Sequence, residues 1–128
     1  MKRNRNKGFT LIELLIVIAI IAILATIAIP NMLQARKRAY DTKAQTCASE
    51  IAKAEEMYIL DNDQYANDFN TLQTAFPGVV KDCDTNTMSI TANTVTDTRT
   101  EYSYTVYHNS GSKSYTVTAA NGITSTNR

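Results

Sequence analysis

From Phe9 to Ile29 the chain is almost wholly apolar, and from Leu14 to Ala25 every side chain is aliphatic. Thr10, Glu13 and Thr26 are the only interruptions. As a helix rising roughly 1.5 Å per residue, this stretch measures about 31 Å, the thickness of a bilayer's hydrocarbon core. The pattern predicts a membrane-spanning helix.

Beyond it the hydrophobic period persists but narrows to one face. Pro30 lacks the N–H that would bond the Thr26 carbonyl, so the helix is expected to kink or loosen there rather than stop. Tyr40, Ala44, Cys47, Ile51, Ala54 and Tyr58 follow at alternating steps of four and three, an apolar stripe on an amphipathic helix. Arg38, Asp41, Lys43, Glu50, Lys53 and Glu56 are expected mostly off that stripe. Asp61-Asn62-Asp63-Gln64 supplies turn-forming residues to end the helix. In the connection that follows, Asn70-Thr71-Leu72-Gln73 is expected to cap a short helical turn closed by Pro77-Gly78. Tyr65, Phe69, Leu72 and Phe76 would pack that segment against the main helix, and Asp61 to Asp84 is a candidate contact surface between subunits.

From Met88 the period changes to two. Met88–Ala92, Tyr102–His108 and Tyr115–Ala119 read as strands, the last two joined through Asn109-Ser110-Gly111-Ser112. Asn121-Gly122 is a strong hairpin signal and predicts a final edge strand over Ile123-Thr124-Ser125. Thr85 to Thr100 is polar enough to form a loop with a strand inside it. The fold class is therefore α+β: a long N-terminal helix packed on a small antiparallel sheet of three or four strands. By residue, 9–30 is the membrane helix and 31–128 one small outer domain. Within that domain 31–60 is helix, 61–87 connection and 88–128 sheet.

Charge adds a direction. Lys2, Arg3, Arg5 and Lys7 crowd the start, which holds that end in the cytoplasm and exports everything after Ile29. A secretory signal peptide also has a basic start, but here the apolar run is too long and no small-residue cleavage pattern follows it. The formal net charge of +1 falls by four, to −3, once those four cations are discounted. No bulk positive charge then remains to attract nucleic acid. Cys47 and Cys83 both lie on the exported side, where disulfides persist. Pairing them would close a loop of about 37 residues and contribute roughly 3–4 kcal/mol. Two unpaired buried thiols are the alternative.

Glu13 is out of place in an ordinary anchor. A carboxylate within an apolar helix costs on the order of 2.5–3.5 kcal/mol on insertion scales, and an intramembrane ionisable residue implies a partner. A chain beginning at Phe9 would present an amine one helical turn before Glu13, either its own or a neighbour's. Snorkelling of the carboxylate to the membrane surface is the structural alternative.

Gly8-Phe9-Thr10-Leu11-Ile12-Glu13 with its aliphatic helix resembles the processing and methylation motif of type IV pilins and the related pseudopilins. The resemblance covers about the first quarter of the chain and departs from the pattern nowhere in this stretch. It implies that residues 1–8 are a leader removed by a prepilin peptidase, which cuts between Gly8 and Phe9 and methylates the Phe9 amine. It also implies that Glu13 neutralises the terminal amine of an adjacent subunit. The implied partners are further copies of the chain, that peptidase, an inner-membrane assembly platform with its ATPase, and an outer-membrane secretin. The implied locations are the inner membrane, N-terminus cytoplasmic, and then an extracellular pilus.

No catalytic chemistry is legible. His108, the single histidine, falls on a predicted strand and is expected to be a surface or cross-strand residue. Nucleophile, phosphate-loop, zinc and dinucleotide patterns are all missing from the sequence, so the expectation is no catalytic residue, no metal and no cofactor. The acids around Asp61 briefly resemble a calcium loop, but the required glycine is missing and Leu72 fills the twelfth position. The seven tyrosines fit structural roles, with Tyr40 and Tyr58 on the helix core face and Tyr102 and Tyr104 sharing a sheet face. No Asn-x-Ser/Thr sequon occurs. The expected function is a filament subunit serving twitching motility, adhesion or DNA uptake. A type II secretion pseudopilin, or a minor pilin acting as adhesin or DNA receptor, are the alternatives, although the charge does not favour DNA.

Overall fold

The computed structural model describes residues 8–128; the leader cations Lys2, Arg3, Arg5 and Lys7 lie outside the described residues. In chain order the elements are α1 (Leu11–Asn62), α2 (Phe69–Ala75), β1 (Met88–Ala92), β2 (Ser103–His108), β3 (Lys113–Thr118) and β4 (Gly122–Asn127). The chain divides into two compact units, Met1–Ala35 and Arg36–Arg128, and α1 contributes to both.

In the first unit α1 is a bare helix. Its apolar side chains from Phe9 to Leu33 are exposed in the isolated chain. The helix runs on through Pro30. Around the missing Pro30 N–H, the Thr26 hydroxyl donates to the Ile23 carbonyl (2.7 Å) and the Asn31 amide to the Ile27 carbonyl (3.2 Å).

In the second unit α1 packs on a four-stranded antiparallel sheet in the order β1-β2-β3-β4. Ala44, Cys47, Ala48, Ile51 and Ala54 form the buried helix face, while Tyr40 and Tyr58 at its ends are half-buried. Small residues on this stripe let the sheet come close, and Tyr104, Val106, Tyr115 and Val117 supply the opposing layer. The central strands β2 and β3 alternate as half-buried strands must, while β4 at the edge is mostly exposed. α1 stops at Asn62, and Asp63 turns the chain with a φ of 58°, a left-handed conformation that short polar side chains tolerate. Gly122 (φ 64°) opens β4 after the Asn121-Gly122 turn.

Several boundaries shift by one or two residues from the sequence reading, and two of the shifts have a visible cause. α2 begins earlier than expected because Asp68, not Asn70, is its cap: the Asp68 carboxylate accepts from the Asn70 and Thr71 N–H groups. β3 begins at Lys113 rather than Tyr115, because Lys113 and Ser114 already pair with Asn127 and Thr126 of β4.

The larger correction concerns the helix acids. Asp41 and Glu50, expected mostly off the apolar stripe, are buried, and so is Glu55. Each accepts main-chain N–H groups from a different segment. Asp41 takes Ser112 N–H (2.8 Å), Lys113 N–H (2.9 Å) and the Ser112 hydroxyl (2.7 Å), fixing the β2–β3 turn to the helix. Glu50 takes Asp82 N–H (3.0 Å) beside the disulfide. Glu55 takes Ala66 N–H (2.7 Å) and the Tyr104 hydroxyl (2.6 Å), joining helix, connection and sheet at one point. Unpaired, such groups would be costly; among the described residues no buried side-chain nitrogen or oxygen lacks a partner. Gly111 is needed by the first clip, because a Cβ there would come within 2.5 Å of the Asp41 Oδ1 atom.

His108 is also buried rather than superficial. Its ring stacks on Tyr40 with centroids 4.3 Å apart, and its Nδ1 accepts the Ser110 N–H (3.1 Å). Cys47 and Cys83 are disulfide-bonded, with Cα atoms 4.9 Å apart. The bond ties the connection to the helix one turn before Glu50.

Replacing both Cys47 and Cys83 with Ser is expected to lower the unfolding free energy by about 3–4 kcal/mol, measured by urea titration of the full chain in detergent. A second expectation concerns pH. Burial pushes the Glu55 carboxyl above its ordinary 4.5, outweighing the Tyr104 hydroxyl and Ala66 N–H that pull it down. Burial likewise raises Glu50. A carboxyl raised in the folded state contributes stability below pH 4.5 that is lost as pH climbs through the raised value. Stability should therefore decline from pH 4.5 towards neutrality, and Glu55→Gln, which cannot ionise, should show a shallower decline in the same titration.

Candidate assembly site

The N-terminal segment is positioned by its own helix start. Thr10 precedes the first helical residue, and its hydroxyl accepts the Glu13 N–H (3.3 Å) while its own N–H donates to Glu13 Oε2 (2.8 Å). The Thr10 carbonyl accepts the Leu14 N–H (3.2 Å). This is a capping box, in which two otherwise unsatisfied N–H groups are paired reciprocally. The Thr-x-x-Glu spacing was available in the sequence as a helix-start signal. Reading Glu13 only as an intramembrane charge passes over it.

Glu13 thus has a partner inside the chain: one carboxylate oxygen holds the helix end. It also lies near the helix N-terminus, where the macrodipole favours negative charge. Phe9 is 92 % exposed next to it, and Leu11, Ile12 and Leu14 are exposed as well. At Gly8 a Cβ would meet nothing within 4 Å, so nothing in the described chain requires glycine there. The mean hydropathy of α1 reaches 3.0 in its most apolar window, enough in length and composition to cross a membrane.

The connection over Asp61 to Asp84 adjoins exposed apolar residues of α1. Met57 and Leu60 on α1 are exposed, Leu60 at 83 %, and Ala52, Lys53, Glu56, Met57 and Val79 line an open apolar groove. Among the described residues no cluster of three or more His, Cys, Asp or Glu is placed to hold a metal ion.

Residues 3–29 match the family model described as the prokaryotic N-terminal methylation motif. The chain is 39 % identical over 121 residues to the type IV wide pilus major component of Thermus thermophilus, covering 94 % of this chain and 88 % of that protein. It is 43 % identical over 68 residues to the type IV major pilin of Myxococcus xanthus, covering 53 % of this chain and 31 % of that protein. It is 38 % identical over 65 residues to the type II secretion system core protein G of Aeromonas hydrophila, covering 51 % and 46 %. The chain belongs to the type IV pilin family, whose members are structural subunits and not enzymes.

Proposed function

We propose that the chain is a major type IV pilin that polymerises through α1 into an extracellular filament. The observation that carries this reading is the bare apolar helix from Phe9 to Leu33, whose side chains have no cover in the single chain. In the membrane lipid covers them, and in a filament the helices of other copies do. Likeness to the Thermus wide-pilus component along nearly the whole chain supports a pilin over a pseudopilin, since the match to secretion protein G reaches only about half of it.

The proposed path starts in the inner membrane with the N-terminus cytoplasmic. A prepilin peptidase cuts between Gly8 and Phe9 and methylates the new amine; among the described residues nothing lies within 4 Å of a Cβ at Gly8, which supports a requirement set by that enzyme. Glu13 then exchanges one partner for another. Within the chain it caps α1; in the filament it meets the Phe9 amine of a neighbour, a stronger charge-assisted pairing in a low-dielectric surrounding. Pro30 leaves the Thr26 carbonyl without its helical bond, a place for α1 to loosen as copies pack. The apolar groove beside Met57 is a candidate contact for a neighbouring head. An assembly platform, its ATPase and an outer-membrane secretin are the proposed machinery, and twitching motility, adhesion and DNA uptake the proposed uses.

Shearing filaments from cells tests this directly, with the chain expected as the dominant protein of the sheared fraction. Glu13→Val should still be cleaved, since the cut precedes it, but should yield few or no filaments. Normal filament yield from that variant would remove Glu13 from the assembly role, and loss of enzyme secretion on deletion of the protein would favour the pseudopilin reading.

A further inference from the structure

The second unit carries unanswered charge of opposite sign at the two ends of its part of α1. At the first end, Arg38, Asp41, Thr42, Gln45, Lys113 and Tyr115 line an open cavity of about 200 Å³ between α1 and β3. Its hydrogen bonds are those of Asp41 with Ser112 and Lys113, and that of the Thr42 hydroxyl to the Arg38 carbonyl. Among the described residues, no hydrogen bond engages the side-chain donors of Arg38, Gln45, Lys113 or Tyr115.

Tyr115 is the most informative of these. The residue is buried, at 6 % exposure, yet among the described residues no buried side-chain oxygen lacks a partner. Its unbonded hydroxyl therefore reaches the open cavity rather than the core. Buried phenols ordinarily find a partner, so the cavity holds a donor without an acceptor. Two cations, an amide and a phenol facing one space make a site for an oxyanion. The Asp41 carboxylate does not cancel them: both its oxygens already accept from Ser112 and Lys113, and the cavity keeps a net positive charge.

At the other end, α1 stops with no basic residue in its last turn and with Asp61 and Asp63 exposed. Negative charge is unfavourable there, because the macrodipole already makes a helix C-terminus negative. Asp41, Asp68, Asp84 and Asp97 each accept hydrogen bonds within the chain, whereas among the described residues Asp61 and Asp63 accept none. Arg38 and Asp61 stand about 35 Å apart along a continuous helix rising roughly 1.5 Å per residue, so they cannot meet within one chain.

We propose that the Asp61-Asn62-Asp63 corner of one copy docks into the cavity between Arg38 and Lys113 of the next. The contact rests on the filament reading and adds to it a pairing outside the apolar helix. Unlike patches at opposite ends make a heterologous contact, which does not close as a two-fold dimer and, repeated, runs on as an open helical array. Opposite charges across the boundary also fix the register and keep like ends apart. Each exposed pair is weak alone, and its effect comes from recurring at every copy.

Filament yield in sheared fractions, from cells producing the full chain, is the test. Three variants stand beside the parent: Arg38→Glu, Asp61→Arg, and the two together. Each single reversal sets like charges face to face and should lower the yield about tenfold or more, while the combined variant should recover to within about threefold of the parent. Both positions are exposed on α1, and a misfolded head would persist in the combined variant, so recovery reads the contact and not the fold. Full yield from both single reversals, or no recovery in the combined variant, would overturn the proposal. So would a fall confined to one reversal; confined to Arg38→Glu, it would assign the cavity to another anion, such as a lipid phosphate. Absence of filaments from the parent chain would instead remove the filament reading, and this contact with it.

Discussion

One helix is asked to live in two surroundings, and the rest of the molecule follows from that. Along its first half α1 offers mostly aliphatic surface, nearly all of it exposed in the single chain. Burying such surface is worth roughly 25 cal/mol per Å², so the exposed form is stable only within lipid or against like helices. Along its second half the same helix is a scaffold, and its apolar stripe is thin because it is built from Ala44, Cys47, Ala48, Ile51 and Ala54. A small head with so modest a core needs other fastenings.

Those fastenings are the three buried carboxylates and the disulfide. Asp41, Glu50 and Glu55 each bind main-chain N–H groups of a segment that would otherwise be loosely held, and Cys83 bonds to Cys47 between the first two. Their electrostatics differ. At Asp41 burial works to raise the carboxyl, but the Ser112 hydroxyl and the Ser112 and Lys113 N–H groups prevail and hold it below its ordinary 3.8. At Glu55 burial prevails, and burial also pushes the Tyr104 hydroxyl up, so the phenol remains the donor of the pair. Clips made to backbone rather than to side chains constrain position without demanding a particular sequence in the loop that is held.

Much of this was legible in residue order, and the parts that were not share a cause. The apolar run, the long helix, the four strands and both hairpins follow from period and turn chemistry, which are local. An expected exported location and a spacing that lets a loop close favour pairing Cys47 with Cys83 over two unpaired thiols, and the two are disulfide-bonded. By contrast, Asp41 and Glu50 sit beside the stripe in a helical projection and look solvent-facing. Their burial depends on which segment folds over them, and that is set by contacts 32 to 72 residues away. His108 is the same case, since only the docking of its strand against Tyr40 takes its ring out of water. At Glu13 the local capping signal was present and was outweighed by the more conspicuous cost of a charge among aliphatics.

That carboxylate also joins the two halves of the functional argument. It holds the helix start within one chain, and the proposed filament asks it to meet an amine that only cleavage before Phe9 can create. Intact-mass analysis of the exported protein is therefore the most direct measurement of the account. The predicted mass is that of a chain beginning at Phe9 and carrying one added methyl group. A mass that still includes Met1 through Gly8 would mean that the amine never forms, and would contradict the assembly mechanism at its first step.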